Sequence, residues 1–163
     1  MSNKLTAIRP IAICIFSDRD RILVLQGHDH IKNETFYRPI GGGVKFTEQS
    51  SDTIIREIRE EINNTAVALK LLGVMESIFE YEGKQSHEIV FVYDGRLEDR
   101  SVYEKEVIHA TESKGTPLMV LWKQLADFDT TSPQPDVLYP DGLMDLLRDK
   151  EVTKGEEKNK IKK

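Results

Sequence analysis

The stretch from Ile40 to Asn64, IGGGVKFTEQSSDTIIREIREEINN, limits most tightly what this chain can become. Three consecutive glycines, Gly41, Gly42 and Gly43, let a backbone approach an anionic group closely. A helix starting just after them aims its free N–H groups at the same place. With each residue turned 100° along that helix, Ile54, Ile55, Ile58 and Ile62 fall in one sector of roughly 100°, the buried stripe of an amphipathic helix. Glu57, Glu60 and Glu61 fall in a second sector, centred about 120° away. Glu57 and Glu61 are four apart and Glu57 and Glu60 three apart, so their charges repel one another on the bare helix. A hard dication with oxygen ligands removes that repulsion, and Mg²⁺ characteristically joins a few carboxylates, waters and phosphates. A phosphate site beside a divalent-metal site is one reading of the stretch. A solvated acidic face is the other, and the glutamates alone do not decide between them.

Spacing separates the two. The stretch reads Gly42, five residues, Glu48, seven residues, then Arg56-Glu57-Ile58-x-Glu60-Glu61. At average residue usage, six fixed positions arise by chance in such a chain with a probability of about 10⁻⁵. The pattern closely resembles the signature of the Nudix hydrolases, which cleave nucleoside diphosphates linked to another moiety. It departs at the end, where the family has a glycine and an apolar residue and this chain has Asn63 and Asn64. Asn is the next-best residue for a left-handed helix terminus, so Asn63 keeps the turn. Asn64 gives up an apolar contact.

The resemblance implies an α/β/α sandwich with a mixed β-sheet, the signature helix packed on the sheet. It implies Glu57 and Glu61 as main metal ligands, with Glu60 and a glycine carbonyl assisting, and Arg56 and Glu48 orienting that cluster through an ion pair. The cofactor implied is Mg²⁺, with Mn²⁺ able to substitute. The activity implied is attack of an activated water on phosphorus in a pyrophosphate linkage. A carboxylate must accept a proton; Glu60 is one candidate, and Glu104, Glu106 and Glu112 in a later charged stretch are others. The competing class is a non-catalytic nucleotide-binding regulatory module. Retention of all three box glutamates and Arg56 favours the enzyme, because sensing alone needs no water-activating cluster.

The rest of the chain bounds this picture. At 163 residues it is sized for a single domain, taken as 1–149, with an apolar-poor tail at 150–163 expected to be disordered. A net charge of −5 argues against a nucleic-acid polymer as partner, though not against a small nucleotide. A single cysteine, Cys14, has no disulfide partner within the chain. No apolar run has the length of a membrane span and no signal-peptide core opens the chain, which points to the cytoplasm. A homodimer is compatible with all of this.

Strands are expected at 8–16, 21–26, 66–81, 88–93 and 117–122, a turn at 82–85, and a C-terminal helix carrying Leu143, Leu146 and Leu147 behind Asp141. Residues 94–115 carry no readable period. Arg38 is a candidate phosphate ligand beside the glycines. Phe36, Tyr37, Phe79, Tyr81 and Tyr139 are candidates to stack on a base. The glycines do not end in the Lys-Ser/Thr of a P-loop and do not form the dinucleotide fingerprint.

Overall fold

A computed structural model of the chain describes residues 6–112 and 115–150. The strands are β1 (Ile8–Asp18), β2 (Arg21–Asp29), β3 (Glu34–Gly43), β4 (Ala66–Tyr81), β5 (Lys84–Leu97), β6 (Val107–Thr111), β7 (Pro117–Gln124) and β8 (Val137–Leu138). Helix α1 spans Ser50–Ile62 and helix α2 spans 143–150. The strands form one mixed sheet in the order β4-β5-β1-β3-β2-β7-β6, with β8 added beside β3. The pairs β1–β5 and β3–β8 are parallel and the others antiparallel.

β1 is apolar on both faces because both are covered. Ala12, Cys14 and Phe16 join a core with Ile54 and Ile58 of α1, while Ile11, Ile13 and Ile15 join a second core with Leu143 and Leu147 of α2. A helix on each face of a mixed sheet is the α/β/α sandwich expected. The free thiol of Cys14 is buried in the first core, and burial pushes its pKa up. Among the described residues, no helix is long and apolar enough to cross a membrane. From residue 151 onward, the tail lies outside the described residues.

β3 makes the functional cleft possible. Its C-terminal half pairs with β1 from Ile40 to Gly43, while its N-terminal half pairs with β2 from Glu34 to Pro39. The two halves of the sheet thereby diverge, and a cleft of about 730 Å³ draws its lining from both. That volume lies in the range of small-molecule sites.

The structure departs from the expectations in three places. Gly41–Gly43, expected only to bring backbone close to an anion, are the paired end of β3, in register with Ile13, Ala12 and Ile11. The buried stripe of α1 is Thr53, Ile54 and Ile58, whereas Ile55 is 39% exposed. Thr53 is tolerated inside because its hydroxyl donates to Glu48 Oε1 at 2.6 Å. The unreadable stretch 94–115 contains the end of β5, a 3₁₀ turn at Arg100–Glu104 and the edge strand β6. β6 is short, and Val107, His109 and Thr111 face outward, so neither length nor hydrophobic period marks it.

Candidate active site

α1 begins after Gln49, which offers no side-chain cap, and ends at Asn63 in the left-handed region (φ 49°), whose N–H donates to the Arg59 carbonyl at 3.1 Å. The glycine of the family pattern is thus replaced without loss of the turn. Asn64 substitutes hydrogen bonds for the missing apolar contact. Its buried amide donates to the Asp99 carbonyl, and its Oδ1 accepts from the Thr65 and Asp99 N–H groups. The end of the helix is thereby tied to the 3₁₀ turn.

The glycines act by steric permission. A Cβ on Gly41 would run into the Ala12 carbonyl, and a Cβ on Gly42 would run into the Glu57 carboxyl group, whereas one on Gly43 would meet open space. Gly42 therefore lets a helix carboxylate lie directly against strand backbone. Helix and strand are joined again by Arg56. Its Nε donates to Glu48 Oε2 at 2.9 Å and its Nη2 to Glu48 Oε1 at 3.0 Å, the two-pronged geometry that suits guanidinium and carboxylate. Arg56 Nη1 donates to Glu57 Oε1 at 2.7 Å, and Nη2 also donates to the Gly43 carbonyl at 3.0 Å. Hydrogen bonds from Arg56 and Thr53 hold the Glu48 carboxyl down to about 2, so it stays ionised at any working pH. One guanidinium thus fixes Glu57, the glycine strand and the loop before the helix.

One turn beyond Glu57, Glu61 faces the same cleft. Its Oε2 is buried and has no hydrogen-bond partner among the described residues. Burial, then the charge of Glu57, pushes the Glu61 carboxyl up to about 8; Arg38 pulls the other way, and a hydrogen bond with Glu57 and the charge of Glu112 add to the rise. A buried carboxyl oxygen with no partner costs folding energy, and a hard cation between Glu57 and Glu61 would meet its need. The donor set is all oxygen, as Mg²⁺ or Mn²⁺ requires.

Glu57, Glu61, Arg38, all three glycines and Glu112 line one cleft. Glu60 does not: its side chain is 39% exposed and sits 3.5 Å from Arg56 Nη1. Among the described residues, no three carboxylate, imidazole or thiolate groups converge as a metal cluster. Glu104 and Glu106 are exposed and away from the cleft. Of the aromatic candidates, Phe36, Phe79, Tyr81 and Tyr139 line the cleft, whereas Tyr37 points to the opposite face of β3 and packs on Phe128.

Sequence reasoning missed Glu34, Ser77 and Glu80, which also line the cleft. Alternation along β3 would have found Glu34 from Arg38, since both share a face with Phe36. Ser77 had no sequence signal.

The chain matches the NUDIX domain over residues 7–135. Among solved structures it is similar to a NUDIX hydrolase from Nitrosomonas europaea (10% identity, 90% of each chain covered, TM-score 0.61). It is also similar to an ADP compounds hydrolase (16% identity, 93% of this chain and 76% of that one, TM-score 0.60). A third is the MutT NUDIX hydrolase from Burkholderia pseudomallei (20% identity, 80% of this chain and 91% of that one, TM-score 0.57). At these identities the likeness is one of fold. No curated protein matches the chain. The domain match spans most of the sequence and contains every residue of the Arg56 network, and on that ground the chain belongs to the Nudix pyrophosphohydrolase family.

Proposed function

We propose that this protein hydrolyses the pyrophosphate linkage of a nucleoside diphosphate joined to a second moiety, with water attacking phosphorus. The observation that carries this reading is the buried, unpartnered Oε2 of Glu61 beside Glu57, in a cleft large enough for such a substrate.

Glu57 and Glu61 are the residues that would hold Mg²⁺ or Mn²⁺. When bound, the ion supplies positive charge to the phosphate oxygens and acidifies water at neutral pH. Arg56 holds Glu57 Oε1 in one position and so removes the freedom that a lone glutamate would have to lose. Glu60, on the outer side of Arg56, supports the same guanidinium. Arg38 is half-buried with no hydrogen-bond partner among the described residues, which leaves its N–H fork available to a phosphate oxygen. Glu112 is the best placed of the four candidate bases, because it alone lines the cleft and is close enough to Glu61 to act on its charge. Its carboxylate would take the proton from the attacking water.

Hydrolysis in ¹⁸O-water tests the reading. Label is expected in a phosphate product, with turnover lost in excess EDTA and restored by Mg²⁺. Label confined to the sugar or alcohol product, or full activity in EDTA, would overturn it. A panel of nucleoside diphosphate derivatives that stays intact in Mg²⁺ would move the protein to the class of binding modules.

A further inference from the structure

The cleft continues well past Glu57 and Glu61, and the charge of its far half is unbalanced. There Asp29, Glu34, Glu80 and Glu88 line the wall, against Arg9 and Lys32. Both cations are already engaged. Arg9 Nη2 lies 2.6 Å from Glu88 Oε1, and Lys32 Nζ donates to the Glu80 carbonyl at 2.6 Å. Asp29 accepts the N–H groups of Ile31, Lys32 and Glu82, which hold its carboxyl below the usual range and keep it charged. Two negative charges therefore remain without a counter-charge in the lining.

The same half is aromatic. Phe36 stands edge-on to Tyr139 (5.4 Å between centroids) and to Tyr81 (5.8 Å), and Phe79 lies tilted against Tyr139 at 6.1 Å. The Phe36 ring lies across Gly27, where any Cβ would collide with it. Tyr139 donates its hydroxyl to Glu34 Oε1 at 3.0 Å, which leaves the second oxygen of Glu34 without a partner among the described residues. Ser77, only 7% exposed and lining the cleft, has a side-chain hydroxyl with no partner among the described residues. Its oxygen opens on the cleft and is free to hydrogen-bond a ligand there.

Three occupants can be weighed. A further phosphate would enter a net-negative wall whose arginine is paired with Glu88 and whose lysine is held on the Glu80 carbonyl. A neutral sugar would satisfy Ser77 but leave the excess carboxylates uncompensated. A cationic group gains from the carboxylates and the ring faces together. We propose that the far half of the cleft receives an organic cation, an ammonium or quaternary ammonium group carried on the second moiety of the substrate. This rests on the reading that the opposite end binds the diphosphate.

Calorimetric titration in the presence of Mg²⁺ tests it with three phosphate monoesters that differ in the charge of the attached group: phosphocholine, glycerol phosphate and 3-phosphoglycerate. Phosphocholine is expected to bind about tenfold more tightly than glycerol phosphate, with 3-phosphoglycerate weakest, and the gaps should narrow as NaCl is raised. Glu80→Gln, at an exposed position, and Glu34→Gln, which retains an oxygen for Tyr139, should each shrink the ratio several-fold, with melting curves confirming that the variants fold. Equal affinities, a reversed order, no binding, or a ratio unmoved in both variants would overturn the proposal. Cleavage of a neutral sugar nucleotide alongside a flat titration series would defeat this inference and leave the proposed hydrolase intact. Tight phosphocholine binding without cleavage of any diphosphate would do the opposite.

Discussion

At one end of the cleft a single guanidinium, Arg56, reaches Glu48, Glu57 and the Gly43 carbonyl. At the other end four aromatic rings meet, and only Tyr139 among them is tied down, by one hydrogen bond to Glu34. The first end is a set of charges fixed by directional bonds, as transition-state chemistry demands. The second relies on shape and field, which tolerate small movements and suit recognition of a substrate's body. The two ends should therefore fail differently when damaged, the first in rate and the second in affinity.

The sharpest break is expected from Glu57→Gln. The amide still offers an oxygen to Arg56 Nη1, so the fold should persist. The charge opposite Glu61 is gone, and kcat should fall by about a hundredfold or more. A variant within a few-fold of the parent rate would show that Glu57 is only a packing partner for Arg56.

The difference between the ends also explains what could be read in advance. The Arg56 end lies in one continuous stretch, where helical spacing puts Glu57 and Glu61 on one face and the recognisable pattern sets Glu48 eight residues before Arg56. The far end is assembled from β1, β2, β3, β4, β5 and the residues after β8. No local pattern links Glu34 to Ser77 or Tyr139, because only the pairing of strands brings them together. Core strands such as β1 were legible since burial on both faces leaves a continuous apolar run. The edge strand β6 was hidden because its solvent-facing residues break the run.

Within the Arg56 end, the three glycines sharpen the contrast, because identical substitutions should give three outcomes. Gly42→Ala places a methyl group on the Glu57 carboxyl, so activity should fall by roughly a hundredfold while the melting temperature moves little, since a side chain can yield. Gly41→Ala meets the Ala12 carbonyl within paired strands, and a loss of about 3 kcal/mol in stability is expected, read by urea unfolding. Gly43→Ala should be nearly silent in both. Equal effects at all three positions would return the glycines to a generic flexible loop.

Glu61 gives a smaller effect with a definite sign. Its folded-state pKa is raised from 4.5 to about 8, so between those values the metal-free native state holds a proton that the unfolded chain releases. Stability must then fall as pH rises through that window and level off above it. Glu61→Gln resembles the protonated form. Metal-free, it should match the parent near pH 4.5 and exceed it by about 2 kcal/mol near pH 6. Mg²⁺ should narrow that gap by stabilising the parent more than the variant. Parallel pH profiles for the two proteins would remove the buried charge from the account of the site.

The smallest effect is expected at the far end, and it bears most directly on the contrast between the two. Phe79 touches Tyr139 but lies away from the Arg56 network. Phe79→Ala removes a ring from the wall and lets Tyr139 move, though the hydrogen bond to Glu34 still restrains its hydroxyl. A binding wall that acts alike on the ground and transition states should lose affinity without losing rate, so KM should rise about tenfold with kcat within a few-fold. The substrate panel sets the control. A diphosphate whose second moiety is too small to reach the rings should be handled alike by parent and variant. If kcat falls as far as in Gly42→Ala, the rings position the reacting phosphate as well. The cleft would then work as one unit from Glu61 to Tyr139, and its division into a rigid chemical end and an adaptable recognition end would be wrong.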